Sequence, residues 1–315
     1  MVNLSLFEPP ERPLARQLKH LAAHGVYFGT SSWKYEGWLG QVYTPERYYT
    51  RGRFSQKRFE AECLAEYAET FPIVCGDFSF YQFPTREYWS RLLGSAQENL
   101  LFAFKVPEMI TVRQWPSHPR YGDRGGQDND TYLNADLLER EFLEPLRPYT
   151  NRVAVLIFEF GTFSRSQYDS LAAFTSDLKK FLDALPPGFR CAVEIRNRGF
   201  LDEPYFDVLA ERNIAHVFNS WTRMPELKDQ VAIPQAFTAD FIVSRALLRP
   251  GRSYEEAVQK FKPYQSIQEP NPSAREGLRS LMDRALSQRQ LAFLFVNNRL
   301  EGNAPGTIEA VVEGT

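Results

Sequence analysis

The stretch Val153-Ala154-Val155-Leu156-Ile157-Phe158-Glu159 is an unbroken apolar run that ends on a carboxylate. Such a run, without polar alternation, is typical of a parallel β-strand that is buried on both faces. A charge inside a buried strand is costly unless it is paired or solvated. The run therefore predicts a central strand, and it places a polar group, Glu159, at the carboxyl end of that strand.

Similar apolar runs recur along the whole chain and alternate with longer amphipathic patterns. The predicted strands span residues 26–31, 73–80, 101–106, 153–159, 190–196, 215–218, 240–245 and 291–297. The predicted helices span residues 54–70, 85–97, 134–146, 166–185, 204–212, 253–264 and 273–290, with an additional helix at 14–23. The helical pattern is weakest after the sixth strand. Alternation of this kind indicates parallel pairing with right-handed crossovers.

Eight such units predict an α/β fold, a single (β/α)₈ TIM-type barrel. The alternative is an open doubly wound sheet, which would be favoured by a glycine-rich phosphate loop after the first strand. The sequence there, Gly29-Thr30-Ser31-Ser32-Trp33, does not have that pattern. Long strand-to-helix loops at residues 32–53, 107–133 and 219–239 would all emerge at the C-terminal face. We expect residues 1–25 to be an N-terminal extension and residues 26–315 to form the barrel domain.

Composition limits the compartment and the partners. The formal net charge of −2 over 315 residues gives no electrostatic footprint for nucleic acid or an anionic membrane. The three widely spaced cysteines argue against a disulfide framework and suit a reducing compartment. No apolar run approaches the roughly 18 residues of a membrane span, and the first residues lack a signal-peptide core. We expect a cytoplasmic protein.

Polar residues follow almost every predicted strand at its carboxyl end. They are Ser31, Asp77 with Ser79, Lys105, Glu159, Glu194 with Arg196, Asn219, Arg245, and Asn297 with Asn298. Side chains two positions apart on a strand share a face, so Glu194 and Arg196 should point the same way, as should Asp77 and Ser79. Active sites of such barrels lie at this end. The alternative is a structural ion-pair network that closes the top of the barrel.

The residue types at the strand ends indicate acid/base chemistry on an anionic or hydroxylated ligand. Carboxylates supply acid/base groups, and lysine and arginine suit a ligand carboxylate or phosphate. The predicted catalytic residues are Glu194 as the preferred acid/base, Lys105 and Asp77. The predicted ligand-binding residues are Trp33, Tyr35, Tyr81, Glu159, Arg196, Arg245, Asn297 and Asn298. For the aromatic residues, packing of their own loops is the alternative.

Metal and cofactor motifs are missing from the sequence. No HExxH, CxxC or cysteine/histidine cluster is present, and no GxSxG marks a nucleophilic serine. We therefore expect no metal and no cofactor. A magnesium site built from Asp77, Glu159 and Glu194 is the alternative that carboxylate chemistry leaves open.

The chain also resembles a known family along residues 26–311. The segments that carry the resemblance are Gly29-Thr30-Ser31-Ser32-Trp33-Lys34-Tyr35 with Trp38 and Tyr43, Phe80-Tyr81-Gln82-Phe83-Pro84, Phe104-Lys105-Val106-Pro107 with Ile110-Thr111, Val193-Glu194-Ile195-Arg196, and Phe295-Val296-Asn297-Asn298 with Gly302-Asn303-Ala304-Pro305. They are similar to those of the YecE-like TIM-barrel proteins, a domain of unknown function. The resemblance implies a barrel and leaves the activity open. Its shared polar positions are Trp33, Tyr35, Lys105, Glu194, Arg196, Asn297 and Asn298.

The sequence departs from that family pattern inside the expected site. Cys75 and Asp77 stand where the family usually has a Glu-x-Asn pair. Glu159 replaces a glutamine, and Asn197 replaces a histidine. These differences make the chain a divergent member in the region where a substrate would bind.

Three functions follow as hypotheses from these patterns. The first is a metal-independent enzyme of hydrolase, isomerase or lyase type that acts on a small anionic or sugar-like molecule at the barrel mouth. The second is a non-catalytic module that binds or senses such a ligand. The third, a nucleic-acid-processing enzyme, rests on fold analogy alone, and the charge and the histidine pattern argue against it. The expected partner is an anionic or polyhydroxylated small molecule. We expect no association with a membrane, and the sequence does not indicate the oligomeric state.

Overall fold

The computed structural model describes residues 12–313, and their central feature is a closed barrel of eight parallel strands. The strands are β1 (Val26–Thr30), β2 (Ile73–Gly76), β3 (Leu101–Lys105), β4 (Val153–Glu159), β5 (Cys191–Glu194), β6 (Ala215–Ser220), β7 (Phe241–Ala246) and β8 (Leu291–Val296). Each strand pairs with the next along the chain, and β8 pairs with β1 to close the barrel. This confirms the predicted α/β fold class, a (β/α)₈ TIM-type barrel.

The helices surround the barrel. They span Pro13–Ala23, Pro45–Tyr48, Gln56–Tyr67, Arg86–Ser95, Glu108–Thr111, Ala135–Leu138, Glu144–Leu146, Leu171–Asp183, Glu203–Ala210, Leu227–Val231, Tyr254–Phe261, Pro272–Gln288 and Ala304–Val312. A π-helical turn, Glu139–Leu143, joins the sixth and seventh of these into one continuous element. Short two-residue strands at Tyr49–Thr50 and Arg53–Phe54 form a hairpin in the first long loop. No helix among residues 12–313 combines the length and the apolarity needed to cross a bilayer.

The sequence-based predictions differ from the structure most clearly after β2 and after β8. The strand predicted at 73–80 ends at Gly76, and Phe78–Phe80 forms a 3₁₀ turn instead. The helix after the sixth strand is only Leu227–Val231, a short element that matches its weak pattern. The helix Ala304–Val312 was not predicted, because its short apolar sequence lacks a polar face that would mark a helical period.

The apolar core has two layers separated by the barrel wall. The inner layer is a plug inside the barrel, formed by Ile73, Cys75, Ala103, Ala154, Val155, Ile157, Ala192, Ala215, Val217, Phe241, Val243, Phe293 and Phe295. The outer layer lies between the strands and the helices, and it includes Leu14, Leu18 and Leu21 of the first helix. Alternate residues of each strand thus face the plug and the outer layer. The first helix, which lies within the predicted extension, is buried against β1.

Gly29 gives the barrel wall room where β1 meets β2. It is aligned with Ile73, and a Cβ atom at this position would lie 2.1 Å from the Ile73 carbonyl oxygen. A real Cβ atom does not approach a backbone oxygen that closely, and the oxygen cannot swing away because it is part of the sheet. The position therefore requires glycine.

We expect Gly29→Ala to lower the free energy of unfolding by about 1–3 kcal/mol, because the methyl group must push two barrel strands apart. Urea denaturation measures the change. The matched control is Gly94→Ala in the helix Arg86–Ser95, where a Cβ atom meets nothing within 4 Å. Helix propensity should make the control neutral or stabilising, by at most about 1 kcal/mol. Equal effects of the two substitutions would contradict the argument.

Candidate functional site

Above the apolar plug, the side chains that point into the barrel are polar. They belong to the last residues of each strand or to the first residues after it. The set is Ser31, Asp77, Lys105, Glu159, Glu194, Asn219, Arg245 and Asn297, and we call it the polar ring. Seven of the eight members follow a plug residue by two positions, as Val243 precedes Arg245 and Phe295 precedes Asn297, and Ser31 follows Gly29. Alternate residues of a strand point to the same face, so the inward face that forms the plug also brings these polar groups together at the C-terminal mouth.

Two carboxylates of the ring lie next to each other. Glu159 ends β4 and Glu194 ends β5, and the two residues are in register on neighbouring strands. Arg196 contacts both, with Nη2 at 2.9 Å from Glu159 Oε1 and 3.2 Å from Glu194 Oε1. Arg245 bridges their other oxygens, with Nη1 at 2.6 Å from Glu159 Oε2 and 2.5 Å from Glu194 Oε2. Two arginines thus neutralise a pair of like charges that the sheet forces together.

Lys105 and Asp77 extend this arrangement toward β2. Lys105 Nζ lies 2.9 Å from Glu159 Oε2 and 3.9 Å from Asp77 Oδ1, and it sits 3.5 Å from the centre of the Phe80 ring. Arg245 Nη2 donates to Asp77 Oδ1 at 3.2 Å. The six charged residues Asp77, Lys105, Glu159, Glu194, Arg196 and Arg245 form what we call the ion cluster. Its three positive and three negative charges cancel.

Apart from Asp77, the ion cluster is largely buried, and internal partners determine the pKa values of Glu159 and Arg245. Burial alone would raise the pKa of Glu159, but Arg196, Lys105 and Arg245 hold it well below its usual range. Burial would lower the pKa of Arg245, but Glu194, with Glu159 and other groups, raises it well above its usual range. Both groups therefore stay charged at neutral pH. The Arg245 side chain is 2% exposed and that of Glu194 is 0% exposed.

A cleft of about 330 Å³ opens beside the cluster at the barrel mouth. It is lined by Ser31, Ser32, Trp33, Lys34, Tyr35, Cys75, Asp77, Phe78, Tyr88, Asn297 and Arg299. Asp77 is the member of the ion cluster that reaches this cleft, and 39% of its side chain is exposed. Burial raises the pKa of the Cys75 thiol to about 12, so this cysteine is a protonated neighbour of the cleft.

The structure separates the predicted site residues into three groups. Glu194, Lys105, Asp77, Glu159, Arg196 and Arg245 form the ion cluster, and Trp33, Tyr35, Asn297 and Asp77 line the cleft. Glu194 and Arg196 point the same way, as predicted. Tyr81 lies outside the cleft, is 56% exposed and packs on Arg120 at 4.4 Å. Asn298 does not line the cleft.

Asn298 and Ser79 have structural partners instead of a ligand-facing position. Asn298 Oδ1 accepts hydrogen bonds from Trp38 Nε1 at 3.2 Å and from the Ala304 amide at 2.7 Å. The side chain thus ties the first loop to the last helix. Asp77 and Ser79 do not share a strand face, because the strand ends before them; Ser79 Oγ donates to the Lys105 carbonyl at 2.7 Å.

The alternative of a carboxylate metal site finds no support in the described geometry. Arg245 Nη1 occupies the space between Glu159 and Glu194, where a cation would have to sit. Within residues 12–313, no three histidine, cysteine, aspartate or glutamate side chains are grouped so that they could hold a metal ion. The acidic side chains of the cluster are committed to arginine and lysine.

Arg299 and Ser32 line the cleft but were not among the predicted site residues. Arg299 lies two residues beyond Asn297, past the end of the last strand. The signal for Arg299 in the sequence is its position a few residues beyond the end of a predicted strand. Its arrangement with the cleft tyrosines depends on loops that are distant in sequence.

A larger groove of about 630 Å³ lies at the opposite end of the barrel. Its lining includes Val153, Cys191 and Phe241, which begin their strands. Sites in barrels of this type are built at the carboxyl ends of the strands. The smaller cleft beside the ion cluster is therefore the better candidate site.

We expect Glu159→Gln to destabilise the protein by roughly 3–5 kcal/mol at pH 7, because it leaves buried cations without their partner. The folded-state pKa of Glu159 lies below its ordinary value, so its stabilising effect is present above about pH 4.3 and is lost as the pH falls toward the folded-state pKa. The stability difference between wild type and variant should therefore shrink below about pH 4. Urea midpoints measured from pH 7 to pH 3 test this.

Glu62→Gln is the control for this experiment. Glu62 is half-exposed and pairs with Arg58 at 3.1 Å on a helix surface, so its loss should change stability little. A pH-independent loss in Glu159→Gln, or a similar loss in the control, would show that the cluster charges do not hold the barrel top.

Comparisons with known proteins give the same architecture. Two crystal structures of DUF72 family proteins are similar to this chain. The protein from Thermotoga maritima MSB8 is 20% identical with a TM-score of 0.58, over 90% of this chain and 96% of that one. The protein from Enterococcus faecalis V583 is 17% identical with a TM-score of 0.60, over 92% of this chain and 96% of that one. At these identities the likeness extends to the fold alone.

Sequence comparison gives the family directly. No curated protein sequence matches the chain. The family described as "Protein of unknown function DUF72" matches residues 27–314, which include every residue of the ion cluster and the barrel strands apart from Val26, the first residue of β1. The chain therefore belongs to the DUF72 family.

Proposed function

We propose that this protein is a metal-independent enzyme that acts on a small anionic or sugar-like molecule in the cleft at the barrel mouth. One observation carries the proposal: Asp77 is anchored in the buried ion cluster and yet presents a partly exposed carboxylate to the cleft. A carboxylate that is both fixed and accessible is what general acid/base catalysis requires. We also propose that the chain is among the YecE-like members of its family, which its strand-end segments support. A cytoplasmic location is a further part of the proposal, and the three widely spaced cysteines support it.

Asp77 is the predicted catalytic residue that a ligand in the cleft can touch. Arg245 and Lys105 hold its Oδ1 at 3.2 Å and 3.9 Å, which fixes the carboxylate and leaves its exposed side for a ligand proton. In this proposal Lys105 and Glu194 are positioning residues. Glu194 is fully buried with each oxygen bound by an arginine, and it keeps Arg245 in place.

The number of accessible carboxylates in the cleft favours proton transfer over glycoside hydrolysis. Hydrolysis of a glycosidic bond generally uses two carboxyl groups that flank the reacting atom. Among the cleft residues named above, Asp77 is the one with a carboxylate. A single base beside polar groups such as Ser31, Ser32 and Asn297 is better suited to proton transfer. Within the proposed enzyme, an isomerase or lyase is therefore favoured over a glycoside hydrolase.

The experiment is a search for proton transfer. We would incubate the full chain in D₂O with a panel of sugar phosphates, sugar acids and hydroxy acids, and follow deuterium incorporation and product formation by NMR. Wild type should convert at least one compound. Asp77→Asn should lose at least about 100-fold in rate, because removing a general base typically costs 10²–10⁴-fold.

Glu36→Gln is the control, because Glu36 is an exposed carboxylate in the loop that follows β1 on the same face. It should keep the wild-type rate. A wild-type protein that binds a compound of the panel without exchanging or converting it would reject the enzyme and favour a binding or sensing module. Full activity in Asp77→Asn would remove Asp77 from the mechanism.

A further inference from the structure

The cations predicted to bind a ligand anion are already paired. Lys105, Arg196 and Arg245 each contact carboxylates of the ion cluster, whose charges cancel. They have no free charge to offer a ligand. Recognition of an anionic group must therefore come from other residues of the cleft.

Two cations line the cleft without an acidic partner. Among residues 12–313, no carboxylate lies within 4.0 Å of the charged nitrogens of Arg299 or Lys34. Asp77, the acidic residue of the cleft, is neutralised by Arg245 and Lys105. The cleft therefore carries a net positive charge, and this favours an anionic ligand.

Arg299 has a defined position despite the lack of an acidic partner. Its guanidinium carbon lies 4.5 Å from the centre of the Tyr254 ring. The rings of Tyr35 and Tyr264 pack edge to face at 5.5 Å, and the charge of Arg299 acts on both of these phenols. Burial raises the pKa of Tyr35 to about 12 even though Arg299 lowers it, so the phenol stays neutral and does not pair with the cation. The aromatic surroundings thus fix the guanidinium and leave its charge uncompensated.

Unpaired polar atoms lie on the same cleft. Ser31 Oγ and Trp33 Nε1 are buried and have no hydrogen-bond partner among the described residues, and Arg299 Nε is in the same condition. Ser31 and Trp33 are 1% and 7% exposed. Buried donors are nearly always satisfied in proteins, so the three unpaired donor groups on residues lining one cleft are available to an acceptor that a ligand supplies.

We propose that Arg299, with Ser31 and Trp33, forms an oxyanion-binding subsite that takes the phosphate or carboxylate group of the small molecule. A planar guanidinium, a hydroxyl and an indole N–H are all donors, which is the set that an oxyanion needs. This inference rests on the cleft of the proposed function and places the anionic end of the ligand at Arg299, with the reacting end at Asp77.

Calorimetric titration of the full chain tests the subsite with three probes of similar size: glycerol 3-phosphate, glycerate and neutral glycerol. Wild type should bind at least one anion and not glycerol, and the tighter anion identifies the group. Arg299→Met, which keeps the apolar stem, should weaken anion binding by about 10- to 100-fold, the range for a charge-assisted hydrogen-bonded contact. Arg299→Lys should recover part of the affinity, because it restores the charge without the fork.

Arg284→Met is the matched control. Arg284 is half-buried, stacks on the Phe237 ring at 3.8 Å and also has an unpaired Nε, but it lies on the outer helix Pro272–Gln288. The affinity of the Arg284→Met variant for the anions should stay within about twofold of that of wild type. An unchanged affinity in Arg299→Met, or no anion binding by wild type, overturns the subsite. Anion binding that depends on Arg299 without turnover overturns only the proposed enzyme.

Discussion

The top of this barrel depends on a pair of carboxylates that parallel pairing forces side by side. Glu159 and Glu194 end adjacent strands in register, and their mutual repulsion inside an apolar barrel is relieved by two arginines that each contact both. Removal of either arginine would leave a buried charge without compensation. This bridged pair fixes the positions of the other charged residues around it.

The ion cluster has two consequences for ligand binding. Its internal neutrality means that the barrel mouth can hold six charges without a strong field of its own. It also fixes Asp77 through Arg245 and Lys105, so that one carboxylate reaches the cleft from a rigid support. The ion-pair network at the barrel top and the proposed acid/base group are therefore parts of one arrangement. The structural and the functional interpretation of the strand ends do not exclude each other.

In the proposed function, ligand recognition is divided between two loops and the barrel. Trp33 and Tyr35 come from the loop after β1, while Arg299 follows β8, and pairing of β8 with β1 brings these segments together. The barrel contributes Asp77 to the lining of the same cleft. A small molecule with one anionic end and one reacting end matches this division of charge.

The sequence by itself determined the barrel and the polar ring. Long apolar runs marked the strands. Residues two positions apart point to the same face of a strand, so Arg245 shares the inward face of Val243, and Glu194 shares that of Ala192. Only the tertiary structure decided which of these groups are free. It showed that Asp77 lies just beyond its strand, that Asn298 is tied to Trp38, and that Arg299 has no acidic partner within residues 12–313. The physical reason is that periodicity fixes the face a side chain occupies, whereas pairing and exposure depend on residues far apart in the chain.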